Sequence, residues 1–254
     1  MLRYGLPFAL VMVISTVIPS LDRLILLRYI ELEKIGEYSA ALRICGLLYL
    51  FTSAFQISFG PYAYSIWHKK EAPNIFRDFL NLYFCALMGI AVFATYFGEL
   101  IITIFAGKEY IVTLYLLPMM LTAIAIKGLS EFSLIGITWS KKSYLNLFAI
   151  IIKLIITFYT MLYFVKLYGV IGVCYSLLIA EIFYIILTFS ISNKFYKVDY
   201  RYFKLVTVLV ITLFVSYIKI KYQGSNFVYL VLIPYCVFLY KVSTHKLKFN
   251  EYIN

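Results

Sequence analysis

The sequence predicts an all-α integral membrane protein, and three observations carry that prediction. Of its 254 residues 63% are hydrophobic and only 14% are charged, where a soluble domain carries roughly 45–50% and 25%. The apolar residues fall in long runs, each close to the ~20 residues a helix needs to cross a bilayer. The basic residues between these runs alternate in number from loop to loop, as the positive-inside rule requires. No polar stretch is long enough to build a separate soluble domain.

Eight spans are expected. Tyr4–Tyr29 carries Asp22 and Arg23 within it and Arg28 at its end. Gly36–Tyr64 contains Arg43, and Gly60-Pro61 near its end. Phe76–Phe97 opens beside Arg77. Ile111–Trp139 contains Pro118, Lys127 and Glu131. Tyr144–Phe164 carries Lys153, and Gly169–Ile191 carries Glu181. Tyr202–Ile218 has basic residues at both ends, and Phe227–Tyr240 is the shortest of the eight. Proline frees a backbone carbonyl and can kink a helix, so Gly60 and Pro61 are hinge candidates. Pro19 and Pro118 lie within other spans.

Orientation follows from the loops. Thirteen Lys and Arg fall in one set of loops and six in the other, and the alternation holds at every loop. The richer set is expected in the cytoplasm, with both termini on that side. Trp67-His68-Lys69-Lys70 and Trp139-Ser140-Lys141-Lys142 both lie on it. An indole at headgroup level with lysines just beyond is an interfacial anchor. The net charge of +11 is therefore explained by orientation, and no nucleic-acid partner is expected. The four cysteines lie inside apolar runs with no CxxC or Cys/His cluster, so neither a metal nor another cofactor is expected. The first run has no small-residue cleavage site of the kind that ends a signal peptide.

The charges inside the spans are the candidate functional groups. Each costs at least ~2.5 kcal/mol at bilayer depth unless it snorkels, pairs or faces a polar cavity. Arg43 stays charged when buried. It can clamp an anion, since a guanidinium fork suits phosphate oxygens; it can pair with Asp22 or Glu37; or it can snorkel. Asp22 and Arg23 are adjacent and point in different directions around their helix. Lys127 and Glu131 are four apart, a spacing that permits an ion pair. Lys153 and Glu181 lie near mid-depth on successive spans. They can pair across helices or serve as substrate and proton groups.

In order, Tyr4-Gly5-Leu6-Pro7, Asp22-Arg23, Ile35-Gly36-Glu37-Tyr38-Ser39-Ala40-Ala41-Leu42-Arg43, Phe59-Gly60-Pro61 and Tyr168-Gly169-Val170-Ile171-Gly172-Val173 resemble the polysaccharide exporters of the MOP (MATE-like) superfamily. The resemblance is especially to Wzx-type flippases for lipid-linked O-antigen units, and it covers about residues 1–200. It implies that 1–200 is a second-lobe six-helix bundle and 201–254 two additional helices with a short basic tail. Such flippases have two lobes, so the resemblance implies either a fragment or truncated product of a two-lobed protein or a chain that assembles with a partner supplying the first lobe. By the same resemblance, the chain alone is expected not to flip substrate.

The implied activity is translocation of undecaprenyl-diphosphate-linked oligosaccharide across the bacterial inner membrane by alternating access, for O-antigen or capsule synthesis. No bond is made, so the protein is not expected to be an enzyme. Arg23, Arg43, Lys127 and Lys153 are the candidates for a cationic cavity; Asp22, Glu131 and Glu181 are candidates for ion coupling or pairing. The partners implied are the lipid-linked oligosaccharide, the bilayer, a first lobe and other polysaccharide-assembly proteins. A multidrug or cation antiporter of the same superfamily is one alternative. A membrane-embedded polymerase or acyltransferase is another, against which stand the two histidines, His68 and His245, at span ends. A reporter fused after Lys248 is expected to read as cytoplasmic and one at Lys108 as periplasmic; the opposite pattern in a fusion assay would overturn the topology.

Overall fold

The computed structural model describes residues 2–222 and 230–244, and among these every regular element is a helix. Among the described residues seven stretches are long and apolar enough to cross a membrane. A helix is the form a lone segment takes in hydrocarbon, because all its backbone hydrogen bonds close within the segment. The spans begin with α1 (Leu2–Tyr29), α2 (Leu32–Ile66) and α3 (Ala72–Tyr96). A short helix α4 (Gly98–Phe105) and a 3-10 helix (Lys108–Tyr115) follow. The fourth span is broken into α5 (Leu117–Lys127), α6 (Ser130–Ser133) and α7 (Ile135–Trp139). Then come α8 (Ser143–Tyr168), α9 (Val170–Ser192) and α10 (Tyr202–Lys221).

Three features differ from the eight expected spans. The fourth does not begin at Ile111. Pro118 lies at the first turn of α5, where a missing N–H is harmless, and the residues before it wind as a 3-10 helix. Second, α4 is an additional short helix. Third, the expected eighth span appears as α11 (Leu232–Thr244), 13 residues long, about 20 Å against the ~30 Å of a hydrocarbon core. The expected start of that span, at Phe227, lies outside the described residues, as does the tail with Lys246 and Lys248. Helix α11 packs on α3 and α10. Tyr235 and Thr212 hydroxyls lie 2.7 Å apart, and Leu239 rests over Gly89.

The packing runs outward from the fourth span, the most buried of the seven, to α1, the least. Helix α5 touches α9, α3 and α2; α9 packs on α8, and α8 on α1. Gly169 makes the α8–α9 pairing possible. It adopts φ 62°, which a side chain disfavours, and so reverses the chain in a tight turn. Gly136 does the same for α7 and α9. Its N–H donates to Ser192 Oγ at 2.8 Å, and a Cβ there would overlap the Ser192 carbonyl.

The two sets of loops separated by their basic content gather at opposite ends of the bundle. At one end the 67–71, 139–143 and 193–201 connections meet through Trp67, Trp139 and Tyr196. At the other, Tyr29 and Lys166 meet, and Thr95, Tyr115 and Lys219 line one small pocket. An aromatic column runs from mid-bundle to the Lys-rich end. Phe55 stacks on Tyr83 at 3.8 Å, Phe59 meets Phe132 at 4.5 Å, and Phe76 meets Trp139 at 5.4 Å.

Gly136→Ala should lower the thermal midpoint in detergent, at a cost of roughly 1–3 kcal/mol for overpacking. Gly60→Ala, with nothing within 4 Å of the added Cβ, should leave the midpoint unchanged or raise it.

Candidate functional site

The intramembrane charges separate into a closed polar seam, a buried carboxylate at Asp22, and basic side chains that reach the surface. The seam is built by α9. Glu181, Tyr184, Thr188 and Ser192 recur at spacings of three and four and so share one face of the helix. All four are buried.

At its deepest point Lys153 of α8 meets Glu181. Nζ lies 2.5 Å from Oε1, and the two residues are 7% and 8% exposed. The ammonium also lies 5.0 Å from the centre of the Tyr184 ring. Tyr184 donates its hydroxyl to Asn146 Oδ1 of α8 at 2.8 Å. The Thr188 and Ser133 hydroxyls are 2.9 Å apart, which ties α9 to α6. Ser192 then accepts the Gly136 N–H. Each of these four side chains therefore meets a polar group on a neighbouring helix, and among the described residues Glu181 Oε2 has no hydrogen-bond partner. An unpaired buried carboxylate oxygen is costly, and such an atom marks a place where a proton or cation can be held.

Lys127 and Glu131 do not pair. Helix α5 ends at Lys127, and the chain tightens through Gly128 and Leu129, where Leu129 N–H bonds Ile126 O. This removes the i,i+4 register that an unbroken helix would supply. Lys127 lies over the Tyr49 ring of α2 at 5.0 Å and is half-buried. Glu131, also half-buried, is within electrostatic reach of Tyr83 and of Tyr184, and through Tyr184 it belongs to the seam.

Asp22 is 3% exposed and makes the clasp between α1 and α2. It accepts a hydrogen bond from the Tyr38 hydroxyl at 2.5 Å and another from the Arg23 backbone N–H at 2.7 Å. Arg23 and Arg43 are exposed, and Arg43 pairs with neither Asp22 nor Glu37. Arg43 lies eleven residues into α2, about 17 Å along it. It shares a stripe with exposed Leu47, Leu50 and Ile57. Pro61 lies inside α2 with its side chain exposed, and the helix runs on to Ile66.

Of the four candidate cations, Arg23, Arg43 and Lys127 thus reach the surface and Lys153 is enclosed. Tyr38, Asn146, Tyr184, Thr188 and Ser133 were not anticipated. The 181, 184, 188, 192 spacing was a readable sign of a stripe; the partners of that stripe on other helices had no sequence signal.

Together these features define a multi-pass, all-α membrane protein with a charged core. No protein-family model, curated protein or solved structure matches the chain.

Removing one member of the buried pair should be far worse than removing both. Lys153→Met alone should cost about 3–5 kcal/mol of stability, read as a fall in thermal midpoint. Lys153→Met with Glu181→Met should recover most of that loss. Additive single effects would show that the pair is uncoupled.

Proposed function

We propose that the chain is the second lobe of a bacterial inner-membrane flippase for undecaprenyl-diphosphate-linked oligosaccharide, with the Lys-rich end and both termini in the cytoplasm. The observation that carries this reading is Arg43. It is a permanently charged group well inside a spanning helix, exposed at the surface of the bundle and, among the described residues, paired with no carboxylate. A lone arginine at such a depth needs an anionic or aqueous partner, and a diphosphate matches its donor fork. The order of the motifs along 1–200 supports the same reading.

In this mechanism no bond is made or broken. Arg43 takes phosphate oxygens, with Arg23 and Lys127 beside the path, while the lipid tail stays in the bilayer. The Asp22–Tyr38 clasp carries α1 and α2 as one unit, and Gly60-Pro61 is the point about which α2 bends between the two access states. Lys153 and Glu181 stay closed within the bundle, holding α8 to α9, and do not touch the glycan.

The rival reading is a cation antiporter, favoured by the unpartnered Glu181 Oε2. The two are separated by the substrate that depends on Arg43. In a flippase-deficient strain expressing the protein together with a matching first lobe, Arg43→Ala should lower surface polysaccharide by about ten- to hundredfold. That is the worth of one charged hydrogen bond, roughly 1.5–3 kcal/mol. Arg43→Lys should retain part of the export, at equal protein levels. Normal export with Arg43→Ala would overturn the assignment of Arg43, and cation efflux lost on Glu181→Gln would favour the antiporter.

A further inference from the structure

We propose that the Lys-rich end of the bundle carries a binding site for the phosphate headgroup of an anionic phospholipid, built where the 67–71, 139–143 and 193–201 connections meet. The inference rests on the membrane-spanning fold and not on the identity of any transported substrate.

Three rings, one from each connection, hold the site together. The Trp67 and Trp139 centroids are 5.3 Å apart, and Trp139 meets Tyr196 edge-on at 4.8 Å. The Tyr196 hydroxyl donates to the Trp67 carbonyl at 3.2 Å. Tyr200 anchors the third connection from beneath. It is buried, and its hydroxyl donates to the Phe132 carbonyl at 3.2 Å. Burial pushes that hydroxyl well above the usual tyrosine range, so it remains a donor. Three segments far apart in sequence thus form one rigid aromatic plate.

Each ring is followed within two residues by an exposed lysine: Lys69, Lys141 and Lys197. Lys142 is already engaged, 4.2 Å over the Phe195 ring. Lys141 adopts φ 55°, the one left-handed non-glycine among the described residues. This is the left-handed residue that ends α7: Lys142 N–H bonds the Ile137 carbonyl and Lys141 N–H the Thr138 carbonyl, a Schellman turn that lifts the Lys141 side chain clear of the helix.

The charge balance is specific to this end. Residues 67–78, 139–143 and 193–204 hold nine Lys and Arg against three acids, and Asp78 is already taken by Arg77 at 2.9 Å. The connections at the opposite end hold six basic residues against five acids. Indole faces beside lysine ammonium groups match a phospholipid at its own interface. The ring lies against the glycerol region, and the lysines take the phosphate. A soluble anion would have no use for the rings.

The test titrates phosphatidylglycerol or phosphatidylcholine into the purified full chain in neutral detergent, reading bound lipid by native mass spectrometry and stability by thermal melting. Phosphatidylglycerol should be retained and should raise the midpoint; phosphatidylcholine should do neither. Lys69→Gln/Lys141→Gln/Lys197→Gln should bind phosphatidylglycerol at least about tenfold more weakly. Lys34→Gln/Lys108→Gln/Lys166→Gln removes the same charge from the other end and should change binding less than about twofold. Replacing the first three lysines by arginine should preserve binding, and unchanged melting without lipid reports an intact fold. Lys141→Gln alone, the mildest change, should weaken binding in the same direction. Equal loss in the two glutamine triples would mean diffuse charge attraction and overturn the site. So would equal binding of the two lipids, or the same stabilisation by millimolar inorganic phosphate.

Discussion

A lysine and a glutamate closed against each other inside hydrocarbon constrain what can pack around them. Lys153 and Glu181 are each costly to bury alone, and their attraction offsets that cost only while α8 and α9 hold them in register. The tight turn at Gly169 supplies that register. Further along the same face of α9, Thr188 and Ser192 also have to be satisfied, and they meet their partners on the broken fourth span. That span is broken where the partners are needed: Ser133 and Gly136 lie in its short helical pieces. The centre of the bundle is consequently set by polar matching as much as by apolar packing. In a membrane this is expected, because lipid tails compete with leucine on equal terms and supply no hydrophobic drive between helices.

The periphery obeys a different rule. Helices α1 and α2 are joined through one buried hydrogen bond, Tyr38 to Asp22, and otherwise present broad apolar faces. Arg23 and Arg43 interrupt those faces. A group held by neither an ion pair nor the bundle interior is free to take a substrate's charge, and one consumed by a structural pair is not. The contrast between Arg43 and Lys153 therefore separates positions of equal promise in the sequence into a binding candidate and a scaffold element.

The two ends of the molecule differ in how they are ordered. The Lys-rich end is gathered by rings. The aromatic column between α2, α3 and the fourth span emerges there, and the 193–201 connection folds back beneath it through Tyr200 and through Asn193, whose Nδ2 donates to the Tyr202 hydroxyl. The opposite end is ordered by short helices, α4 and the 3-10 segment. An aromatic plate surrounded by excess positive charge is suited to an anionic leaflet.

The sequence by itself determined that the chain is helical and crosses the membrane several times, because hydrocarbon imposes run length and intrahelical hydrogen bonding on every segment separately. It also determined which loops share an end, since basic residues are sorted loop by loop. Boundaries were legible where a run ended on charge, as at Tyr29, and illegible at Gly128–Leu134, where the break depends on what α9 offers opposite. The charged positions were visible as anomalies, but their roles were not. Whether Lys127 reaches Glu131, whether Arg43 is covered, and which hydroxyl receives Asp22 depend on the rotation of each helix about its axis. Only tertiary packing decides that rotation, because in a helix apolar nearly all round no hydrophobic stripe chooses an inward face.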